Sequence, residues 1–407
     1  MERLDELIQR YCPNGVEYVR LGDVVSISRG ASPRPIQNYL TTDDSGIPWI
    51  KIGDVSIASK YISSTSERIT KEGASKSRFL RKGAFVLSNS MSFGRPYILG
   101  IDGCIHDGWI SICDFEAALN SDFLYYLLRS DVVQGYWTSK ANSGGAVANL
   151  NSDIVRSTPI PLPPLPVQEE IVRILDIFTN LAAELQAELQ ARQQQYQYYR
   201  DTLLSFDGRD DVQWKKLGEV ADLLSGFPFD SSQFTDRGIR LMRGVNIKRG
   251  QLCFNDTDDR YWVSTKGLEK YIVKENDIVI SMDGSLVGRS FGMVKKEYLP
   301  LLLVQRVARI RSSIVNINYI YHCINNWFPN YVDKKKTQGA IPHISMKDIA
   351  NFPIPVPSSK EQERVATILD RFDTLTNDLS QGLPAEIEAR RQQYEYYRNR
   401  LLTFQRK

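Results

Sequence analysis

Catalytic residue types are scarce in this 407-residue chain, and none is grouped. It has three histidines (His106, His322, His343) and five scattered cysteines (Cys12, Cys104, Cys113, Cys253, Cys323). No cysteine pair has C-x-x-C spacing, and no histidine stands at ligand spacing from a cysteine or another histidine. A structural metal is not expected, and free thiols in a reducing compartment are. No run approaches the ~20 apolar residues of a membrane span. The first residues, Met1-Glu2-Arg3-Leu4-Asp5-Glu6, have no apolar core, so no signal peptide is expected. There is no G-x-x-x-x-G-K-[ST] loop and no strand-following G-x-G-x-x-G, which excludes those two nucleotide cradles. The Asn-Pro-Pro-aromatic tetrapeptide of amino-methyltransferases is missing too: Leu162-Pro163-Pro164-Leu165 has the prolines without amide or ring. A net charge of +3 permits a nucleic-acid partner without demanding one.

What the chain has instead is itself, twice. Gln168-Glu169 … Ile174-Leu175-Asp176 … Phe178 returns as Gln362-Glu363 … Ile368-Leu369-Asp370 … Phe372. Arg192-Gln193-Gln194-Gln195-Tyr196-Gln197-Tyr198-Tyr199-Arg200 returns as Arg390-Arg391-Gln392-Gln393-Tyr394-Glu395-Tyr396-Tyr397-Arg398. Val16-Glu17-Tyr18 … Leu21-Gly22-Asp23-Val24 matches Val212-Gln213-Trp214 … Leu217-Gly218-Glu219-Val220. Internal repetition sets architecture before any local signal does. The order is globular, helix, globular, helix.

The globular halves read as mixed α/β. Short apolar runs bounded by Gly, Asp or Ser are expected strands: 49–52, 84–87 and 109–112, then 277–280 and 306–310. Ser121 and Asn318 open capped helices. The proline stretches at 159–166 and 353–357 are expected to be stiff hinges between head and helix. Beyond each hinge, apolar residues recur every three or four positions, ending in Tyr196, Tyr199, Leu203 and in Tyr394, Tyr397, Leu401. These residues are the candidate partner-helix seam. Two such helices are expected to pair as an antiparallel coiled coil, with a break at Gly382 before Pro384. Inside the first lies a smaller repeat, Ala183-Glu184-Leu185-Gln186 then Ala187-Glu188-Leu189-Gln190. It is either good helical filler or a length-setting unit.

The proline-rich junctions, the Gln-Glu entry and the R-x-Q-Q-Y-x-Y-Y-R ending resemble the specificity subunit of type I restriction-modification systems, the IC subfamily in particular. The resemblance covers essentially the whole chain. It implies an α+β protein: two mixed α/β target recognition domains (1–165 and 207–357) separated by two helical regions (166–206 and 358–407). It also implies that each head reads half of a bipartite double-stranded DNA target. Two modification subunits would dock on the helices, and two restriction/translocase subunits would complete the complex. S-adenosylmethionine, ATP and Mg²⁺ would then belong to those partners, in the cytoplasm, with no catalysis in this chain. A lone DNA-binding regulator and a standalone methyltransferase are the rival readings. The first leaves the tyrosine-rich helix ends unused, and the second lacks its motifs.

Base readout needs planar or bidentate side chains on loops, and phosphate contacts need Lys, Arg and small hydroxyls. Loops at corresponding places carry both. Asn89, Ser90 and Arg95 follow one strand, as Arg289 ends the matching loop. Lys140, Asn142 and Ser143 match Lys334, Lys335, Lys336 and Gln338. The competing reading is ordinary connecting loops and solvated charge. Lys76, Arg78, Lys248 and Arg249 are weaker candidates of the same kind.

Overall fold

The computed structural model describes residues 2–57, 59–89, 93–141, 149–336, 342–378 and 381–407. The chain forms two compact units. One comprises residues 1–185 with 387–407, the other residues 186–386. The boundary falls inside the single 39-residue helix Leu165–Leu203, so each unit holds one half of that helix.

In the first unit, strands Ser26–Arg29, Trp109–Cys113, Phe85–Ser88, Pro96–Leu99 and Tyr61–Ile62 form one five-stranded sheet, in that spatial order. A second sheet runs Leu40–Thr41, Glu67–Ile69, Ile47–Ile50, Gly103–Ile105, Arg78–Leu80. The second unit repeats these two sheets with four described strands in each. Asp222–Ser225, Val307–Arg311, Ile278–Ser281 and Phe291–Met293 form one. Tyr261–Trp262, Ile239–Met242, Leu301–Leu303 and Ile272–Val273 form the other. Phe85–Ser88 and Ile278–Ser281 are buried at every residue. Both faces are covered, which is why these strands read as continuous apolar runs and not as alternation.

The expected helices are present, capped by Asn120 before Ser121–Leu128 and by Asn316 before Ile317–Asp333. Each Asn Oδ1 accepts two main-chain N–H groups of its first turn, as an N-cap should. The glutamine at the fourth position of each following helix ties these caps to the spacer. The Gln168 amide is fully buried, accepting from Asn120 N at 2.8 Å and donating to the Pro163 carbonyl at 2.7 Å. Gln362 repeats this with Asn316 N at 2.9 Å and Pro357 O at 2.8 Å. The Ile-Leu-Asp motif serves the same junction. Tyr126 Oη donates to Asp176 at 2.5 Å, and His322 Nε2 lies 2.7 Å from Asp370.

The proline stretches correct the hinge expectation. Pro159–Pro161 pairs antiparallel with Tyr18–Arg20, and Pro353–Val356 with Gln213–Lys216, in two-stranded sheets. The spacing explains the tolerance. Leu21 N donates to Thr158 O and Leu162 N to Glu17 O, so ladder bonds fall on even positions. Pro159 and Pro161 alternate with them, and their missing N–H groups face away from the partner.

The second helical region is broken as expected, into Ser359–Asn377 and Leu383–Leu401, with Pro384 in the first turn of the latter. The seam residues pack in two blocks. Tyr394, Tyr397 and Leu401 join the first unit's core, where Phe178 and Tyr397 stack at 5.3 Å. Tyr196 and Leu203 join the second unit's core, and Phe372 stacks on both Tyr196 and Tyr199 at 6.1 and 5.4 Å.

Candidate nucleic-acid interface

In each head the central strands finish at one corner. Register places Arg29, Ser88 and Trp109 together in the first unit, and Ser225, Ser281 and Val307 in the second. The same main-chain bonds knit both corners. Gly30 N donates to Trp109 O at 2.8 Å, and Gly226 N to Val307 O at 3.0 Å. Asn89 N donates to Gly108 O at 3.1 Å, and Met282 N to Arg306 O at 2.9 Å. Leu150 N donates to Asn89 O and Ile344 N to Met282 O, at 2.8 and 2.9 Å. A Cβ on Gly30 would lie 2.0 Å from the His106 carbonyl oxygen, and one on Gly226 2.1 Å from that of Val304. Only glycine fits where the loop crosses that turn so closely.

The shared frame carries different side chains. In the first head Asp107 accepts from Ser32 Oγ at 3.0 Å and Arg34 Nη2 at 3.2 Å. Its carbonyl takes Arg29 Nε at 3.0 Å and Asn89 Nδ2 at 3.2 Å. Arg78 Nε donates to the Arg29 carbonyl at 2.8 Å. In the second head Asp283 accepts from Arg306 Nη1 at 2.6 Å on one oxygen and contacts His343 Nδ1 with the other. Partial burial alone would raise both carboxyls. The hydrogen bonds from Ser32 and Arg34, and from Arg306 and His343, outweigh it and hold Asp107 and Asp283 below the ordinary carboxylate range. Both stay anionic at neutral pH.

The sequence-derived candidates that are described make the following contacts. Asn89 is buried in the first corner, its side chain turned to the Asp107 carbonyl. Arg95 donates to the Ile57 carbonyl. Lys140 is exposed above the Tyr136 ring at 5.9 Å. Arg289 forms a two-pronged pair with Asp333 at 2.7 and 3.2 Å, and Lys336 reaches the same carboxylate at 2.7 Å. Those two cations, led by Arg289, push Asp333 far below its ordinary range. One carboxylate against two cations leaves a net positive group. Lys334 and Lys335 beside it are exposed and make no ion pair among the described residues. Ser90, Asn142, Ser143 and Gln338 lie outside the described residues.

Asp283 lies in the candidate loop that Arg289 ends, whereas nothing in the sequence reading singles out Arg29, Ser32, Arg34, Asp107, Arg306 or His343 for this site. Their signal was faint: Arg29-Gly30 and Ser225-Gly226 each close a corresponding strand. Among the described residues no group of His, Cys, Asp and Glu is placed to hold a metal, and no helix is long and apolar enough to cross a membrane.

Comparison with known proteins agrees with this architecture. The family model for the type I restriction modification DNA specificity domain matches twice, at residues 13–192 and 209–389. The specificity subunit of the Escherichia coli type I restriction enzyme EcoR124I/EcoR124II is 35% identical over 275 residues. That match covers 61% of this chain and 63% of the relative, so it spans just under two thirds of the relative's length. A putative type I specificity subunit of Haemophilus influenzae is 30% identical over 72% of this chain and 75% of its own. Among solved structures, the HsdS subunit from Thermoanaerobacter tengcongensis superposes with a TM-score of 0.54 at 19% identity, over 96% of both chains. A chain from a solved type I R-M system superposes at 0.63 with 20% identity, over 96% of this chain and 98% of its own. Two matched copies of one domain, in the two places where the corner recurs, account for most of the sequence, and the chain belongs to the type I restriction-modification DNA specificity family.

Proposed function

We propose that this chain is the DNA-recognition subunit of a type I restriction-modification complex, each head reading one half of a bipartite target. The observation that carries the reading is the recurring corner. One main-chain frame, built twice, presents different polar side chains on its loops, and the second head adds the net positive group of Arg289, Lys336 and Asp333. Loops of this kind supply what base edges and phosphates require. The spacer helices set the separation of the half-sites and dock two modification subunits. Exposed Tyr198 and Tyr396, at matching places of the repeat, offer equivalent contact points for two copies of one partner. Methyl transfer, ATP hydrolysis and cleavage belong to partner subunits, two of them restriction/translocase subunits. Those partners carry S-adenosylmethionine, ATP and Mg²⁺, and the assembly works in the cytoplasm.

Methylated-motif sequencing of cells carrying the intact system tests the reading. A bipartite motif with a fixed non-specific gap is expected, and it should vanish when this chain is deleted. Purified chain given S-adenosylmethionine, ATP and Mg²⁺ should leave DNA unchanged. Methylation by the chain alone, or a motif that survives its deletion, refutes the reading.

A further inference from the structure

Each corner holds one exposed arginine clamped by a carboxylate, and the two heads build that pair from non-equivalent positions. In the first, the carboxylate Asp107 sits in the turn before Trp109, and Arg34 reaches it from the loop after Ser26–Arg29. In the second, the arginine sits in the corresponding turn as Arg306, and Asp283 comes from the loop after Ile278–Ser281. The frame is shared but the pair is not carried over residue by residue. A chance surface ion pair would not be expected at the same corner twice.

The geometry is that of a held reading head. The Arg34 and Arg306 side chains are 82% and 68% exposed, while Asp283 is only 18% exposed. Asp283 is gripped from its other side by His343, and the two residues form an antiparallel bridge. Asp107 is gripped by Ser32. Each guanidinium is thus held at one terminal nitrogen, Nη2 of Arg34 and Nη1 of Arg306, and its remaining N–H groups make no hydrogen bond among the described residues. Arg306 also adopts φ of +64°, a left-handed conformation unfavourable for a residue with a Cβ.

A neighbouring carboxylate decides what such an arginine suits. It repels a phosphate and cancels the gain from counterion release. It does not repel the neutral edge of a base, and it presets the planar fork. The Arg289, Lys336 and Asp333 group, with Lys334 and Lys335 beside it, has the opposite balance and suits phosphate.

Building on the proposed recognition role, we infer that Arg34 and Arg306 each read a guanine, through its O6 and N7 acceptors, in the half-site of their own head. Asp107 and Asp283 are positioning residues for them.

Methylated-motif sequencing of the intact system separates this inference from the reading it rests on. If the unaltered system yields no bipartite motif, the recognition role itself fails. If it yields one, each half-site must contain a G·C pair, and a half-site of A·T pairs alone overturns the inference. Arg306→Gln is expected to relax one G·C position of one half-site by about tenfold to a hundredfold, leaving the other half-site intact. Arg34→Gln should do the same in the other half. Arg306→Gly, whose backbone is at ease at that φ, guards against misfolding and should relax the same position. An unchanged motif, or methylation weakened evenly at every position, overturns the inference.

Discussion

At the scale of single residues, the corners depend on atoms the sequence does not single out. Gly226 stands alone between a strand and an aromatic run and reads as a turn glycine. Its role is steric: a Cβ there would meet a carbonyl oxygen at 2.1 Å. Gly226→Ala is expected to destabilise the second head by about 3 kcal/mol, since backbone has to move to admit one methyl. Gly53→Ala is the control, because nothing lies within 4 Å of its added Cβ. That change should be neutral or stabilising by a few tenths of a kcal/mol. Thermal unfolding of both variants checks the pair, and equal melting temperatures would remove the steric account. The candidate arginines show the limit of reading residue types alone. Arg95, Arg289 and Arg306 look alike in sequence. Arg95 serves a carbonyl, Arg289 shares a carboxylate with a lysine, and Arg306 pairs with a carboxylate that His343 also holds.

At the scale of elements, the 39-residue helix is long because nothing in it stops it. Pro166 falls in its first turn, where a missing N–H costs nothing, and no glycine follows before its end. The matching region stops at Asn377 and restarts at Leu383, as Gly382 and Pro384 imply. The two Ala-Glu-Leu-Gln units lie in the uninterrupted helix. A third unit lengthens a straight helix by roughly 6 Å and turns its continuation by about 40°. DNA advances about 3.4 Å and ~34° per base pair. The rotation matches one base pair, and the translation falls nearer two. A non-specific gap one base pair longer, with unchanged half-sites, is the expected outcome. Motif sequencing of the insertion variant reads it directly. An unchanged gap at full activity would show the units to be helical filler.

At the scale of the whole molecule, the repeat is also a rule of closure. In the second unit, Leu204 and Phe206 enter the core from just ahead of the head in the chain. The first head is closed by the C-terminus: Tyr18 Oη donates to Phe404 O at 3.1 Å, Lys407 N donates to Val16 O at 3.1 Å, and Leu401 and Leu402 enter its core. Each head has its own core and its own corner, so recognition should be modular. Exchanging residues 207–357 for the same head of a relative is expected to change one half-site of the methylated motif and keep the other. A motif altered in both halves would mean that the heads read DNA jointly.

The sequence by itself determined the duplication, the order of heads and helices, the helix break and the family. The first three rest on local periodicity, capping or repetition, which neighbouring residues specify together, and the family rests on the resemblance carried by the Gln-Glu entry and the tyrosine-rich helix endings. Tertiary structure alone decided three things. It turned the proline stretches into paired strands, because the ladder bonds fall on the residues between the prolines. It brought the last residues of the chain back to the first head, a closure between partners more than 380 residues apart. And it assembled Arg34 with Asp107 and Arg306 with Asp283, because a side chain's partner is set by which loops meet at the end of a sheet, and nothing in the spacing along the chain records that meeting.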